Sequence, residues 1–213
     1  VSINIKKKCS ICTEYVLLEK DDVIYDKSYM HFNCYVQDKF NKKRNKLSIE
    51  QIKENSRIIQ KENEHHVQQR ILSEKFYIWL QKSYGIVVIP QYFFTKISSV
   101  VSGEYKGLSV GIPLENIFDM WQRKKQELDK IALNNIRKGN NIDSVGRLSY
   151  DLAVLIGKYD SYLKWKNQQI AMADNVVKEG KEQKIDFSKI NKTIELQKQA
   201  DLNNISDLLD EVF

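Results

Sequence analysis

The chain contains three cysteines, and all of them fall into one spacing with a histidine: Cys9-x2-Cys12-x18-His31-x2-Cys34. Two cysteines separated by two residues can wrap backbone amides around a metal as a knuckle, and a second pair returned by a hairpin completes a tetrahedron. Three thiolates and one imidazole form a closed set for a single zinc ion, with no position left for water, so the expected role is structural. Such a site carries about one net negative charge, which neighbouring Lys6, Lys7 and Lys8 would offset. A disulfide framework suits a secreted chain with an even cysteine count, and here the count is odd.

The run Cys9-Ser10-Ile11-Cys12 through Tyr29-Met30-His31-Phe32-Asn33-Cys34 resembles the first half of a LIM-type finger, a member of the treble-clef group. The resemblance covers residues 9–34. A full LIM domain continues into a second zinc unit, whereas this chain runs into Tyr35-Val36-Gln37-Asp38-Lys39-Phe40 without a further cysteine. One ion is therefore expected, and LIM-style partner binding is not implied. Within the finger, residues 15–18 and 23–25 read as two short strands, with Glu19-Lys20-Asp21-Asp22 as the polar turn. His31 and Cys34, at i and i+3, are expected on one face of the first turn of the helix that follows.

Beyond the finger the pattern is helical. Ser48 with Gln51 reads as a capping box, and a single helix is expected to reach Tyr84, since no Gly or Pro interrupts residues 47–84. Its early part is polar nearly all round; its later part carries Ile71, Leu72, Phe76, Ile78, Trp79 and Leu80, which need a partner surface. Gly85 ends it, and residues 86–89 form a short apolar link or strand. Pro90 opens a second helix that Gly103 caps, and Pro113 opens a third that Gly139 closes. A fourth starts near Asp143 with a stripe of Leu148, Leu152, Leu155, Ile156, Tyr159, Tyr162 and Leu163. The loop with Gly103, Gly107 and Gly111 reads as a turn or small β-wing, because it lacks the Gly-Lys-Ser/Thr ending of a phosphate-binding loop.

The fold expected is mainly α: a small zinc-bound β-hairpin finger joined by a long helix to a helical core of three to four helices. The expected divisions are a finger over residues 1–40, a basic segment and helical arm over 41–70, and a helical core over 71–177. A linker over 178–198 and an acidic amphipathic tail over 199–213 complete the chain.

Charge and composition bound the function. The net charge is +6, with a pI near 9.0. Residues 6–8 and 39–46 place Lys6, Lys7, Lys8, Lys39, Lys42, Lys43, Arg44 and Lys46 on both sides of the finger, near Tyr29, Phe32 and Tyr35. Cations beside aromatic rings suit contact with DNA or RNA. The tail ends in Leu208-Leu209-Asp210-Glu211-Val212-Phe213, acids among large apolar groups. It resembles in kind the acidic tip of bacterial single-stranded-DNA-binding proteins, which implies docking to a host or phage protein; a final helix that folds back onto the core or onto the finger's positive face is the equal alternative. No apolar run approaches the roughly 20 residues that span a bilayer, and residues 1–8 lack the apolar core of a signal peptide, so a cytoplasmic location in a bacterial host is expected. Abundant Lys, Asn and Ile, with 6 Arg among 34 basic residues, is the bias of AT-rich coding DNA. The layout resembles, in style and composition, accessory proteins of phages and plasmids of low-GC Gram-positive bacteria. The expectation is a non-enzymatic zinc-finger protein associated with nucleic acid in phage or mobile-element replication, recombination or transcription. The alternative is a protein-interaction adaptor or an inhibitor of a host enzyme, with zinc purely structural.

Overall fold

The computed structural model describes residues 4–42, 44, 46–140 and 142–182. The described residues fall into two units that divide after Gly157. Four short strands open the first unit: β1 (Lys6–Lys8), β2 (Tyr15–Leu17), β3 (Val23–Tyr25) and β4 (Tyr29–His31). They form two antiparallel ribbons, β1 with β2 and β3 with β4. The pairing differs from the expected hairpin of residues 15–18 against 23–25, because β2 pairs backward with the lysine run and β3 pairs forward with the histidine strand. Lysine is a poor strand former, but alternation rescues β1. Lys7 lies across from the fully buried Val16, while Lys6 and Lys8 lie across from Leu17 and Tyr15 on the outer face.

α1 (Phe32–Phe40) follows β4 directly, and α2 (Ile49–Glu62) starts at the expected capping box, where Ser48 and Gln51 each bond the other's backbone N–H. The single helix expected over 47–84 is two helices. α2 stops at Asn63 and α3 (Glu64–Tyr84) begins after it. Neither Gly nor Pro is needed for this break: Asn63 turns out of helical geometry at φ −101°, ψ 6°, and its side-chain amide joins its own backbone N–H on the Ile59 carbonyl at 3.0 Å. The break lets the two helices cover different faces of the finger. Ile52 of α2 joins a core with Cys9, Ile24, Met30, Phe32, Tyr35 and Val36. Val67 and Ile71 of α3 join another with Ile5, Val16, Leu18 and Val23. The expected arm therefore clasps the finger.

The rest of the unit is helical: α4 (Gln91–Ser102), α5 (Leu114–Arg137) and α6 (Ser144–Gly157), packed with the C-terminal half of α3. Residues 86–89 form a link without strand structure. Trp121 is fully buried at the centre, with Phe76, Tyr84 and Phe93 around it at centroid distances of 5.7, 6.3 and 6.2 Å. Helix ends fall where the sequence places them. Gly85 and Gly103 take left-handed φ of 64° and 82° after α3 and α4, a conformation that lets the chain leave a helix without strain on a side chain. The glycine loop forms no wing; it folds back so that the Ile112 N–H reaches the Val100 carbonyl at 3.0 Å.

The helix expected from Asp143 ends at Gly157. In the second unit, α7 (Tyr159–Glu182) is separate and carries residues 178–182, which were expected to open the linker. The remainder of the linker and the acidic tail lie outside the described residues. No helix among the described residues is long and apolar enough to cross a membrane.

Candidate metal centre

Cys9 and Cys12 sit on a tight turn between β1 and β2. The Thr13 N–H bonds the Cys9 carbonyl at 3.0 Å, and Thr13 takes a positive φ of 66° to complete the reversal. The Ser10 N–H bonds the Tyr29 carbonyl at 3.3 Å, which ties this turn to β4. His31 is the last residue of β4 and the N-cap of α1, and Cys34 lies in the first turn of α1. Two ribbons and a helix N-terminus thus bring four distant residues together. Their ligand atoms all lie within 4.8 Å of one another, and the group could hold one metal ion.

The distances can be tested against a tetrahedral ion. Ligand bonds of about 2.3 Å to sulfur and 2.0–2.1 Å to nitrogen place S and N about 3.5 Å apart. His31 Nδ1 lies 3.4 Å from Cys12 Sγ and 3.7 Å from Cys34 Sγ. The donor set fits a single ion, consistent with zinc, bound through Nδ1. The other ring nitrogen, Nε2, faces Asp21 Oδ2 at 4.0 Å. That carboxylate also accepts the Leu17 N–H at 2.6 Å, so the turn between β2 and β3 holds it beside the imidazole. A carboxylate in this place favours the Nδ1-ligating orientation.

The thiols are unequal. Burial raises the Cys9 pKa, yet hydrogen bonds from the backbone of Cys12, Ile11 and His31 outweigh it and hold the thiol at about 6. Cys34 is pushed up to about 11, first by burial and then by the adjacent Cys12 and Cys9, which disfavour further negative charge. A dication bound among them would offset that repulsion with its own positive charge. Four protein ligands complete a tetrahedron, so the arrangement supports structure and offers no open coordination position.

The cations expected to touch nucleic acid differ in their surroundings. Lys7 points inward and pairs with Glu74 at 2.9 Å. Lys42 pairs with Asp38 at 3.0 Å, and Lys39 lies 3.8 Å from Asp26 and 4.7 Å over the Tyr35 ring. Lys6, Lys8, Arg44 and Lys46 are exposed, and Lys43 lies outside the described residues. So do Leu208, Leu209, Asp210, Glu211, Val212 and Phe213. Of the three aromatic residues expected beside these cations, Tyr29 is half-buried and the other two belong to the interior. Phe32 and Tyr35 are each 3% exposed, and the Arg57 guanidinium covers the Phe32 ring at 3.8 Å. Tyr35 donates to Asp26, and burial with that bond pushes its pKa to about 12.

Sequence reasoning missed Tyr15, an outward-facing ring that is 58% exposed beside Lys6 and Lys8. It also missed a cleft of about 340 Å³ between α1 and α2. Tyr35, Leu47, Ile52 and Ile59 line it together with Lys39, Lys42 and Arg44. Alternation in residues 15–18, out-in-out-in, carried the signal for the first; the second needs the α1–α2 packing. No family model matches the sequence, and neither the comparison with curated proteins nor that with solved structures gave a match.

Proposed function

We propose that this chain is a non-enzymatic zinc-finger protein that associates with nucleic acid, its zinc ion building the binding surface. The reading extends to replication, recombination or transcription of a phage or mobile element, a setting supported by the Lys-, Asn- and Ile-rich composition. The order of knuckle, paired ribbons and ligand-bearing helix supports placing the finger in the treble-clef group.

The observation that carries the reading is the outer face of β1, where Lys6 and Lys8 project to solvent from a ribbon anchored by the metal ligands. Arg44 and Lys46 add exposed positive charge after α1. Purified protein should contain one zinc per chain by elemental analysis. Binding to 20-nucleotide DNA or RNA should weaken steeply between 50 and 200 mM salt, as expected when phosphate contacts release counterions. Replacing Lys6, Lys8, Arg44 and Lys46 with Glu should weaken it by at least about tenfold more. Undetectable or salt-insensitive binding would sink the proposal.

The cleft between α1 and α2 favours a second reading, an adaptor that receives an acidic amphipathic segment of a protein. Its lining combines apolar side chains with three cationic residues, a match for acids set among large apolar side chains.

A further inference from the structure

We infer that the outer face of the β1–β2 ribbon is a stacking site for single-stranded nucleic acid, with Tyr15 receiving a base and Lys6 and Lys8 receiving the flanking phosphates. This rests on the nucleic-acid reading above and adds to it the substrate class and the residue that selects it.

An exposed tyrosine on a two-stranded ribbon has little of its own chain to pack against. The Tyr15 ring is 58% exposed, and its strand neighbour Val16 is fully buried, so the ring is held outward by the register. Lys8 is its cross-strand partner. The Lys6 ammonium stands 6.0 Å from the ring centroid. The two lysines are two residues apart on one strand face, about 7 Å, a separation on the scale of consecutive phosphates. Rigidity comes from behind. Val16 sits in the core with Val67 and Ile71 of α3, and Lys7 is bound to Glu74. A strand fixed in this way presents the ring at a set position, so little backbone freedom is lost when a base stacks on it.

The same geometry argues against duplex. A flat ring beside cations offers a π-face, and bases in a duplex have their faces covered by their neighbours; exposing one requires unstacking. Every unpaired base has such a face, so the site would accept sequence broadly.

The test is fluorescence anisotropy of the metal-loaded full chain with labelled 15-mers of oligo-dT and oligo-U, and with a 15-base-pair duplex. Both single strands should bind at least about tenfold more tightly than the duplex, their ratio showing whether DNA or RNA is preferred. Tyr15→Val keeps the strand preference but removes the ring, and should weaken single-strand binding about tenfold at unchanged zinc content and helix signal. Tyr15→Phe should restore it. Lys6→Gln and Lys8→Gln should each lower the salt slope by about 0.7. If duplex and single strand bind alike and Tyr15→Val has no effect, this inference is overturned while the broader nucleic-acid reading stands. If no oligonucleotide binds, both fall.

Discussion

Asp22 supplies the polar part of the seam between the finger and α2. Its carboxylate takes a two-pronged hydrogen bond from Arg57, Nη1 to Oδ1 at 2.8 Å and Nη2 to Oδ2 at 2.7 Å. Gln60 donates to the same Oδ1, and the Asp22 carbonyl accepts the Phe32 N–H that opens α1. The Arg57 hydrogen bond holds the Asp22 carboxyl below the usual carboxylate range against the opposing effect of burial. A depressed folded value means that this contribution to stability is complete above the unfolded pKa, about 3.9. It is lost as pH falls through the lower folded value. Both partners are largely exposed, so the pair is weak: a cycle of Asp22→Asn and Arg57→Met at pH 7 should give a coupling of about 0.5–1 kcal/mol in urea denaturation. Additive effects would show that Arg57 acts only by covering Phe32. At this scale the sequence was uneven. The four ligands announce themselves because metal geometry fixes their spacing, whereas Asp21, Asp22 and Tyr15 gain their roles from a strand pairing that no local pattern declares.

α2 is the element beyond the finger that a metal held by Cys9, Cys12, His31 and Cys34 would reach through shared packing. Its surface is mostly polar, and its buried residues are Ile52 and Ser56. Ser56 spends its hydroxyl on the Ile52 carbonyl at 2.6 Å. A 14-residue helix of this kind is marginal alone in water, so it depends on the core that Ile52 shares with Cys9 and Phe32. Chelating the ion should therefore release residues 49–62 together with the finger, while residues 76–84 remain protected in amide hydrogen exchange. Full protection of α2 after chelation would show that the finger's apolar core suffices without metal. The helix termini at Ser48, Gly85 and Gly103 were legible because capping is local chemistry. The break at Asn63 was not, since asparagine is tolerated within helices and only the two-sided packing on the finger gives the interruption a purpose.

Across residues 1–157, α3 is the shared element, with Val67 and Ile71 in a finger core and Phe76, Leu80 and Tyr84 in the helical body. The body has its own fixed centre. Trp121 Nε1 donates to the Tyr84 hydroxyl at 2.7 Å, which in turn donates to Asp151 Oδ2 at 2.6 Å, and Arg147 Nε lies 3.3 Å from that same oxygen. Asp151 is fully buried, and burial raises its pKa despite the Tyr84 bond and the nearby Arg147 charge. An aspartate within an apolar stripe gives no sign from sequence of which tyrosine it will meet 67 residues away. Yet its removal carries a large penalty, because the Tyr84 hydroxyl would be left buried with no acceptor and Arg147 with less compensation. Asp151→Ala should cost about 3 kcal/mol in urea denaturation, and Asp151→Asn, which keeps an acceptor for Tyr84, distinctly less. The loss should be similar with and without metal if the body folds on its own core, as the clustering of Phe76, Phe93 and Trp121 implies. A loss confined to the metal-loaded protein would instead mean that α3 transmits finger order into the body and that the two unfold as one.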